Sequence, residues 1–393
     1  MKILMIHHYG GLGGGLTSCL DIVTMLTELN NDVTVAIPNP SEDVKKVFIG
    51  VNIKVDCDVP EIPILNYHSA SSSGVSAIIK YLLSYNKTRE WKNYLENSSY
   101  DIVILNSIVQ SPLIHIIKKL NMKCLLFIRE TIKGNVKNGL NPKIAKSMSN
   151  ADALVFLTKY DKESWGITND KKQYIVPDVV DIEKFPYEKK TDTKKQQNIT
   201  FLYLGGLSYV KGAKDLLLAF QKLIAKKSNV QLIILGETYK QYSQFSFIQK
   251  IIHIKHVKYV EDCNKLIETL NSAIENVKVV GLTANPGKWY LQSDVVVFPV
   301  KKVHQARPVY EAGYYKKSVI VPDYQNFEDS VIDDYNGCYY KKNSIASLAN
   351  VMERITRDNS LRKKLADNNW KMYKNKHTYE YAKNCLKVIL DEI

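Results

Sequence analysis

Residues 201–212 read FLYLGGLSYVKG: a run of apolar residues, a glycine pair, and then Lys211-Gly212 leading into a stretch whose Leu216, Leu217, Phe220, Leu223 and Ile224 recur at helical spacing. A buried strand ending in a glycine turn at the mouth of an amphipathic helix is the opening of a βα unit. Glycine lets the backbone turn, and the helix start presents N–H groups that suit an anion. Lys211 stands beside the positive end of that helix, where a cation costs about a few tenths of a kcal/mol unless an anion neutralises it. A phosphate ligand answers that placement, and a long solvated lysine is the rival reading.

The chain opens in the same way. Residues 4–12 read LMIHHYGGL, and Gly10-Gly11-Leu12-Gly13-Gly14-Gly15 runs into a helix with Leu16, Leu20, Val23 and Leu26 on one side. The competing interpretation is a dinucleotide-binding loop, but Leu16 occupies the place of the third glycine. After the second strand, Ala36-Ile37-Pro38-Asn39 offers no acid for a ribose hydroxyl. A glycine turn with no ligand is the plain alternative for this loop.

Between these openings, short apolar runs alternate with amphipathic stretches, the pattern of a parallel α/β sheet. Lys2 to Ile6, Val33 to Ile37, Ile102 to Leu105, Cys124 to Ile128, Ala153 to Leu157 and Tyr174 to Val176 read as buried strands of one domain. Ile199 to Leu204, Val230 to Leu235, Val277 to Val280, Val295 to Phe298 and Val319 to Val321 read as those of a second. The polar stretch 187–198 (YEKKTDTKKQQN) has no apolar face to bury and reads as a linker. The expected division is residues 1–186, linker 187–198, domain 199–372 and a terminal helix within 373–393. Its Tyr381, Cys385, Val388 and Ile389 are expected to form the packed face.

The whole chain of 393 residues is too long for one ordinary core, and its 45% hydrophobic and 24% charged content is that of a globular protein. Cys19, Cys57, Cys124, Cys263, Cys338 and Cys385 are scattered, with no Cys-x-x-Cys pair, as in reduced core thiols. The N-terminal apolar run stops at His7-His8, too short for a secretory signal, and no run approaches a spanning helix of ~20 residues, so a cytoplasmic location is expected. A net charge of +14 suits an anionic partner. The excess is scattered and no nucleic-acid module accompanies it, which leaves a solvated surface or an anionic membrane surface. The stretch Ile78 to Leu95, with Ile79, Leu82, Leu83, Trp91 and Tyr94 beside Lys80, Lys87, Arg89 and Lys92, reads either as a helix lying on such a membrane or as one packed on the sheet.

A third constellation follows the strand Val295 to Phe298. Pro299 leads to His304-Gln305-Ala306-Arg307-Pro308-Val309-Tyr310-Glu311-Ala312-Gly313. Pro308 suits a first helical turn, and Glu311 is expected in that turn, where the helix dipole alone favours a carboxylate. At the carboxyl end of a parallel strand it would also accept hydrogen bonds from ligand hydroxyls.

Together these residues resemble the retaining glycosyltransferases of the GT-B class, specifically the large family four. The match covers Gly205-Gly206 through Lys211-Gly212, Arg307-Pro308-Val309-Tyr310-Glu311-Ala312, the segment 177–185 (PDVVDIEKF), and Glu328 with Asn336-Gly337. The resemblance implies an α/β fold of two Rossmann-like domains facing a central cleft, with the C-terminal helix crossing back to the N-terminal domain. It implies a nucleotide diphosphate sugar as donor substrate, no cofactor and no metal. Lys211 would bind the diphosphate and Glu311 the ribose, and Gly11, Gly13 and Gly14 would approach the donor or acceptor. Two positions depart from the family pattern: Gly206 stands where its diphosphate-binding arginine usually is, and Val303 where the first glutamate of its pair should be. His304 or Arg307 would then supply the missing sugar contact. Where the family often has a histidine after the strand ending at Ile128, this sequence has Arg129 and Glu130. Arg129 would stabilise the leaving group and Glu130 would orient an acceptor hydroxyl, or the two simply close the strand end.

The expected activity is transfer of a sugar, with retained configuration, to a hydroxyl of a glycan or lipid-linked glycan in bacterial cell-surface polysaccharide synthesis. A catalytically inactive nucleotide- or glycan-binding relative would account for Val303 and Gly206 directly. A nicotinamide oxidoreductase shares the architecture but lacks the third glycine and the ribose acid.

Overall fold

The computed structural model describes residues 1–8, 14–62, 79, 87–132, 135–167, 172–180, 198–226, 229–239, 254–283 and 285–393. The chain forms two compact units, Met1–Val179 with Thr378–Ile393, and Val180–His377.

The first unit is built on a parallel sheet of β1 (Lys2–Ile6), β2 (Asp32–Ala36), β3 (Lys54–Asp56), β4 (Ile102–Leu105), β5 (Lys123–Ile128), β6 (Ala153–Phe156) and β7 (Lys172–Ile175). Their order is β3-β2-β1-β4-β5-β6-β7. The strands read as unbroken apolar runs because both faces of the sheet are covered. Successive side chains of a strand point to opposite faces, so Ile3 and Met5 enter one core and Leu4 and Ile6 the other, all fully buried. Ile3 pairs with Val33 on one side and with Ile102 on the other, so strand order reverses at β1 and β4. A ligand crevice in an open α/β sheet forms at the carboxyl ends of the strands flanking such a reversal.

The second unit repeats the plan with β8 (Ile199–Tyr203), β9 (Val230–Leu235), β10 (Val277–Gly281), β11 (Val295–Val297), β12 (Ser318–Pro322) and β13 (Gly337–Tyr340), in the order β10-β9-β8-β11-β12-β13. Its reversal lies between β8 and β11. The helix Ala213–Ile224 buries Leu216, Leu217, Ala219, Phe220 and Leu223 on this sheet, each large side chain contributing roughly 1.5–3 kcal/mol.

Two expectations change, and a third point, the stretch 78–95, falls to the packed one of its two readings. The units divide at Val179 and His377 rather than at residues 186 and 372. The Val180 N–H donates to the His377 carbonyl, the Tyr373 hydroxyl donates to the Val180 carbonyl, and the helix Asn359–Lys376 runs through residue 373. The C-terminal helix is Tyr379–Glu392, capped by the Thr378 side chain, and it belongs to the first unit. Its packed face is Ala382, Leu386, Leu390 and the expected Ile389, in the core shared with Leu16, Cys19 and Val23, with Cys385 packed in part against it, whereas Tyr381 and Val388 are exposed. Both sets have helical spacing one residue apart, and the set with two leucines and a small alanine is the one that packs against the helix Gly14–Glu28. In the stretch 78–95, the helix Thr88–Glu96 carries a fully buried Trp91 and a buried Leu95 in the core, so these turns present no apolar face to a membrane, while Arg89 and Lys92 point outward. The remainder of that stretch, apart from Ile79 and Lys87, and all of the linker except Asn198, lie outside the described residues. None of the described helices is long and apolar enough to cross a membrane.

Candidate functional site

At the strand reversal of the second unit, the turn after β8 is locked by its neighbours. Gly206 has φ +55°, donates its N–H to Leu235, and sits so close to the next turn that an added Cβ would lie 2.5 Å from the Glu237 nitrogen. No arginine fits there, which is the physical reason for this departure from the family pattern. Gly212 has φ +80°, and a Cβ would fall 1.9 Å from the Pro299 carbonyl oxygen. The Lys211-Gly212 turn therefore abuts the loop after β11, and the Lys301 N–H bonds to the Val210 carbonyl at 3.0 Å.

That approach brings the half-buried Lys211 Nζ against Nε2 of His304 and over the Phe298 ring, 5.5 Å from its centroid. Burial pushes the Lys211 pKa down to about 8. Burial and the adjacent ammonium push His304 down to about 3, so the imidazole is neutral and accepts from the lysine. Among the described residues no carboxylate pairs with Lys211. A poorly solvated cation with only a neutral partner is a site for an anion. Lys301 nearby is different, since Asp215 holds it at 2.8 Å.

Glu311 lies on the helix Arg307–Tyr314, with Pro308 in its first turn. Glu311 itself falls one turn later than expected, because the helix already begins at Arg307. The Arg307 Nε donates to Glu311 Oε1 at 2.9 Å, and the Tyr290 hydroxyl donates to Oε2 at 2.6 Å. Tyr290 in turn stacks on Tyr315 with centroids 5.0 Å apart. These partners hold the carboxylate still and leave lone pairs on each oxygen for a further donor.

At the reversal of the first unit, a chain of polar side chains joins the strand ends. Ser18 Oγ donates to Asp178 at 2.9 Å, Arg129 Nη1 donates to the same carboxylate at 2.7 Å, and Arg129 Nε donates to Asn106 Oδ1 at 3.0 Å. Asn106 Nδ2 then lies 3.1 Å from His7 Nδ1. A small cavity beside this chain is lined by Ser18, Asp21, Phe127, Arg129 and Asp178. The Glu130 carboxylate is held by the Ser107 hydroxyl and by the Ile108 and Arg129 amides, and burial raises its pKa.

The sequence reading is thus redistributed. Lys211 and His304 meet, and so do Arg307 and Glu311, as two separate pairs in the second unit. Neither His304 nor Arg307 is poised solely for a sugar. Arg129 and Glu130 stand at the crevice of the first unit, each tied to neighbours. Gly14 opens the helix Gly14–Glu28 with open space around it, while Gly11 and Gly13 lie outside the described residues. Glu328 is exposed, and Asn336 is buried and bonded to Ser330, Ile332 and Asn369 as a structural link. His7, Asn106, Asp178 and Tyr290 were missed. His7 gave a signal as a polar residue interrupting an apolar strand, and Asp178 lay within the quoted segment 177–185 without being singled out. Asp333, Asp334 and Cys338 lie close enough to hold a metal, but Asp334 pairs with Arg354 at 2.8 Å and the Cys338 thiol is pushed up to about 12 by burial, which disfavours a thiolate ligand.

Residues 184–372 match the model of the family described as glycosyl transferases group 1. The capsular polysaccharide biosynthesis glycosyltransferase CapM of Staphylococcus aureus is 23% identical over 189 residues, 48% of this chain and 45% of that protein. The uncharacterized glycosyltransferase MJ1059 of Methanocaldococcus jannaschii is 28% identical over 194 residues, 45% of this chain and 42% of that protein. The match therefore spans less than half the length of either curated relative. Among solved structures, Anabaena HepE in complex with UDP and glucose superposes with a TM-score of 0.76 over all of both chains at 14% identity. The chain has the GT-B fold, and its residues 184–372 are similar to the group 1 glycosyl transferases.

Proposed function

We propose that the protein is a retaining glycosyltransferase that moves a sugar from a nucleoside diphosphate sugar to a hydroxyl of a glycan or lipid-linked glycan in cell-surface polysaccharide synthesis. The observation that carries this reading is Lys211, a cation beside a neutral imidazole at the carboxyl end of the second unit's sheet. As the anomeric C–O bond breaks, negative charge develops on the diphosphate, and a positioned ammonium stabilises it. Glu311, oriented by Arg307 and Tyr290, accepts from ribose hydroxyls. The first unit's crevice, with Arg129 and Asn106, takes the acceptor. Charge on the leaving group is met by Lys211 without a metal, and configuration is retained by front-face attack. The polysaccharide setting draws on the likeness to CapM. A cytoplasmic location accords with six free cysteines, and an anionic membrane surface is a partner the +14 charge favours.

Incubation with a panel of nucleotide sugars and a membrane extract, with nucleotide release and product anomer followed by NMR, tests this. Release with retained configuration is expected, whereas inversion would refute the stereochemical part. The steric exclusion of arginine at Gly206 favours the second reading, a binding relative, which binds nucleotide but releases none from any donor.

A further inference from the structure

His7 follows β1 directly and is 1% exposed, yet among the described residues its Nε2 has no hydrogen-bond partner. The state of its ring follows from the chain of bonds behind it. An arginine Nε can only donate, so the Asn106 atom facing Arg129 is the carbonyl oxygen Oδ1. The amide nitrogen Nδ2 therefore faces His7 and donates to Nδ1. With Nδ1 accepting, the single proton of the neutral ring sits on Nε2. The ring stays neutral near pH 7, because burial, His8 and Arg129 hold its pKa down to about 3.

The unpartnered N–H lies at the crevice. An added Cβ on Gly15 would come 3.6 Å from His7 Cε1, the ring carbon between the two nitrogens, so this edge of the imidazole lies against the first turn of the helix Gly14–Glu28. A donor this deeply buried with nothing to bond is costly unless a ligand completes it. Local charge indicates the kind of ligand. Arg129 is neutralised by Asp178 at 2.7 Å, both side chains being nearly buried, so the one cation tied to His7 through Asn106 is already compensated.

We propose that His7 binds, through Nε2–H, an uncharged oxygen of a carbohydrate, a hydroxyl or ring oxygen, at the strand reversal of the first unit. Asn106, oriented by Arg129, is the positioning residue that fixes the proton on that nitrogen. The inference rests on the transferase reading for its ligand class. It adds a sugar contact in the first unit, distinct from the phosphate contact of Lys211 in the second.

The test uses the full-length protein labelled with 15N-histidine. Its ring nitrogens are read by NMR while glucose, UDP-glucose, UDP or inorganic phosphate is added. In the free protein Nε2 should carry the proton and Nδ1 should be bare. Glucose or UDP-glucose should move the Nε2–H signal and slow its exchange, and inorganic phosphate should leave it in place. His7→Phe should weaken binding of the responding sugar probe about three- to tenfold, the value of one neutral hydrogen bond, and leave UDP affinity unchanged. If that variant does not fold, the wild-type spectra still decide. A proton on Nδ1, a ring that takes up a second proton on adding phosphate, or an Nε2–H signal indifferent to both sugars overturns the proposal. UDP binding is scored separately. UDP-glucose that binds while His7 stays silent removes this inference alone, whereas failure of both UDP and UDP-glucose to bind counts against the transferase reading and leaves free glucose to decide on His7.

Discussion

The depressed pKa of Lys211 makes donor affinity depend on pH in a way that no ordinary surface lysine would. A free lysine stays charged to about pH 10.4, and one buried beside a neutral imidazole begins to lose its proton near pH 8. If only the ammonium form binds the diphosphate, affinity scales with the protonated fraction. That fraction falls from about three-quarters at about pH 7.5 to about 3% at about pH 9.5, so UDP should bind roughly 25-fold more weakly at the higher pH. The diphosphate contributes little to this change, because its last ionisation, near ~6, is complete over the whole range, and the uracil N3–H, which ionises near the top of the range, acts equally on a control that lacks the lysine. Calorimetry in two buffers of different ionisation enthalpy counts the protons taken up on binding. Uptake should approach one per UDP at about pH 9.5, as the anion restores the lysine's charge. Lys211→Arg should lose the lysine's share of the pH dependence and keep only that of the base, since a guanidinium stays charged throughout. A wild-type affinity flat across the range, with no proton uptake, refutes the assignment of Lys211 to the anion.

Gly206→Arg, which restores the family residue, should destabilise the fold by about 2 kcal/mol or more, because φ is positive and the new Cβ meets the Glu237 backbone; denaturant titration reads the loss, and a stable variant with tighter donor binding contradicts the packing argument. His7, with its pKa held near 3, makes the protein acid-sensitive. Below the ordinary histidine value the unfolded chain binds a proton that the folded one refuses, so stability falls as pH drops, by about 2 kcal/mol at about pH 5 from this residue, and His7→Phe should flatten that part of the stability profile. Glu311→Gln leaves Arg307 without its carboxylate and should cost roughly 1.5–3 kcal/mol in denaturant titration, whereas Tyr290→Phe should cost roughly 1 kcal/mol; equal losses would show that the ion pair contributes nothing beyond the hydroxyl bond.

Most of the fold was legible because covered parallel strands are written as apolar runs, and β1, β4, β8 and β9 stand where those runs do. The two strands without such a run were not legible. β3 is three residues, Lys54–Asp56, at the sheet edge, and β13 begins with a glycine and ends in two tyrosines. The candidate site was legible as residue types at strand ends, which is how Lys211, Glu311 and Arg129 were singled out. Their partners were not legible, since tertiary approach decides them. Lys211 meets His304 across 93 positions, and His7 meets Asn106 across 99. Nor does sequence say that an arginine at Gly206 is excluded by the backbone of the neighbouring strand end.

The central claim is that Lys211 binds the diphosphate of a nucleotide donor, and calorimetry of UDP with the wild type and Lys211→Ala tests it most directly. A charge-assisted hydrogen bond of roughly 1.5–3 kcal/mol predicts a Kd about 10- to 150-fold higher in the variant, with an unchanged or higher melting temperature because a poorly solvated cation has been removed. Equal affinity in two proteins that melt alike would contradict it.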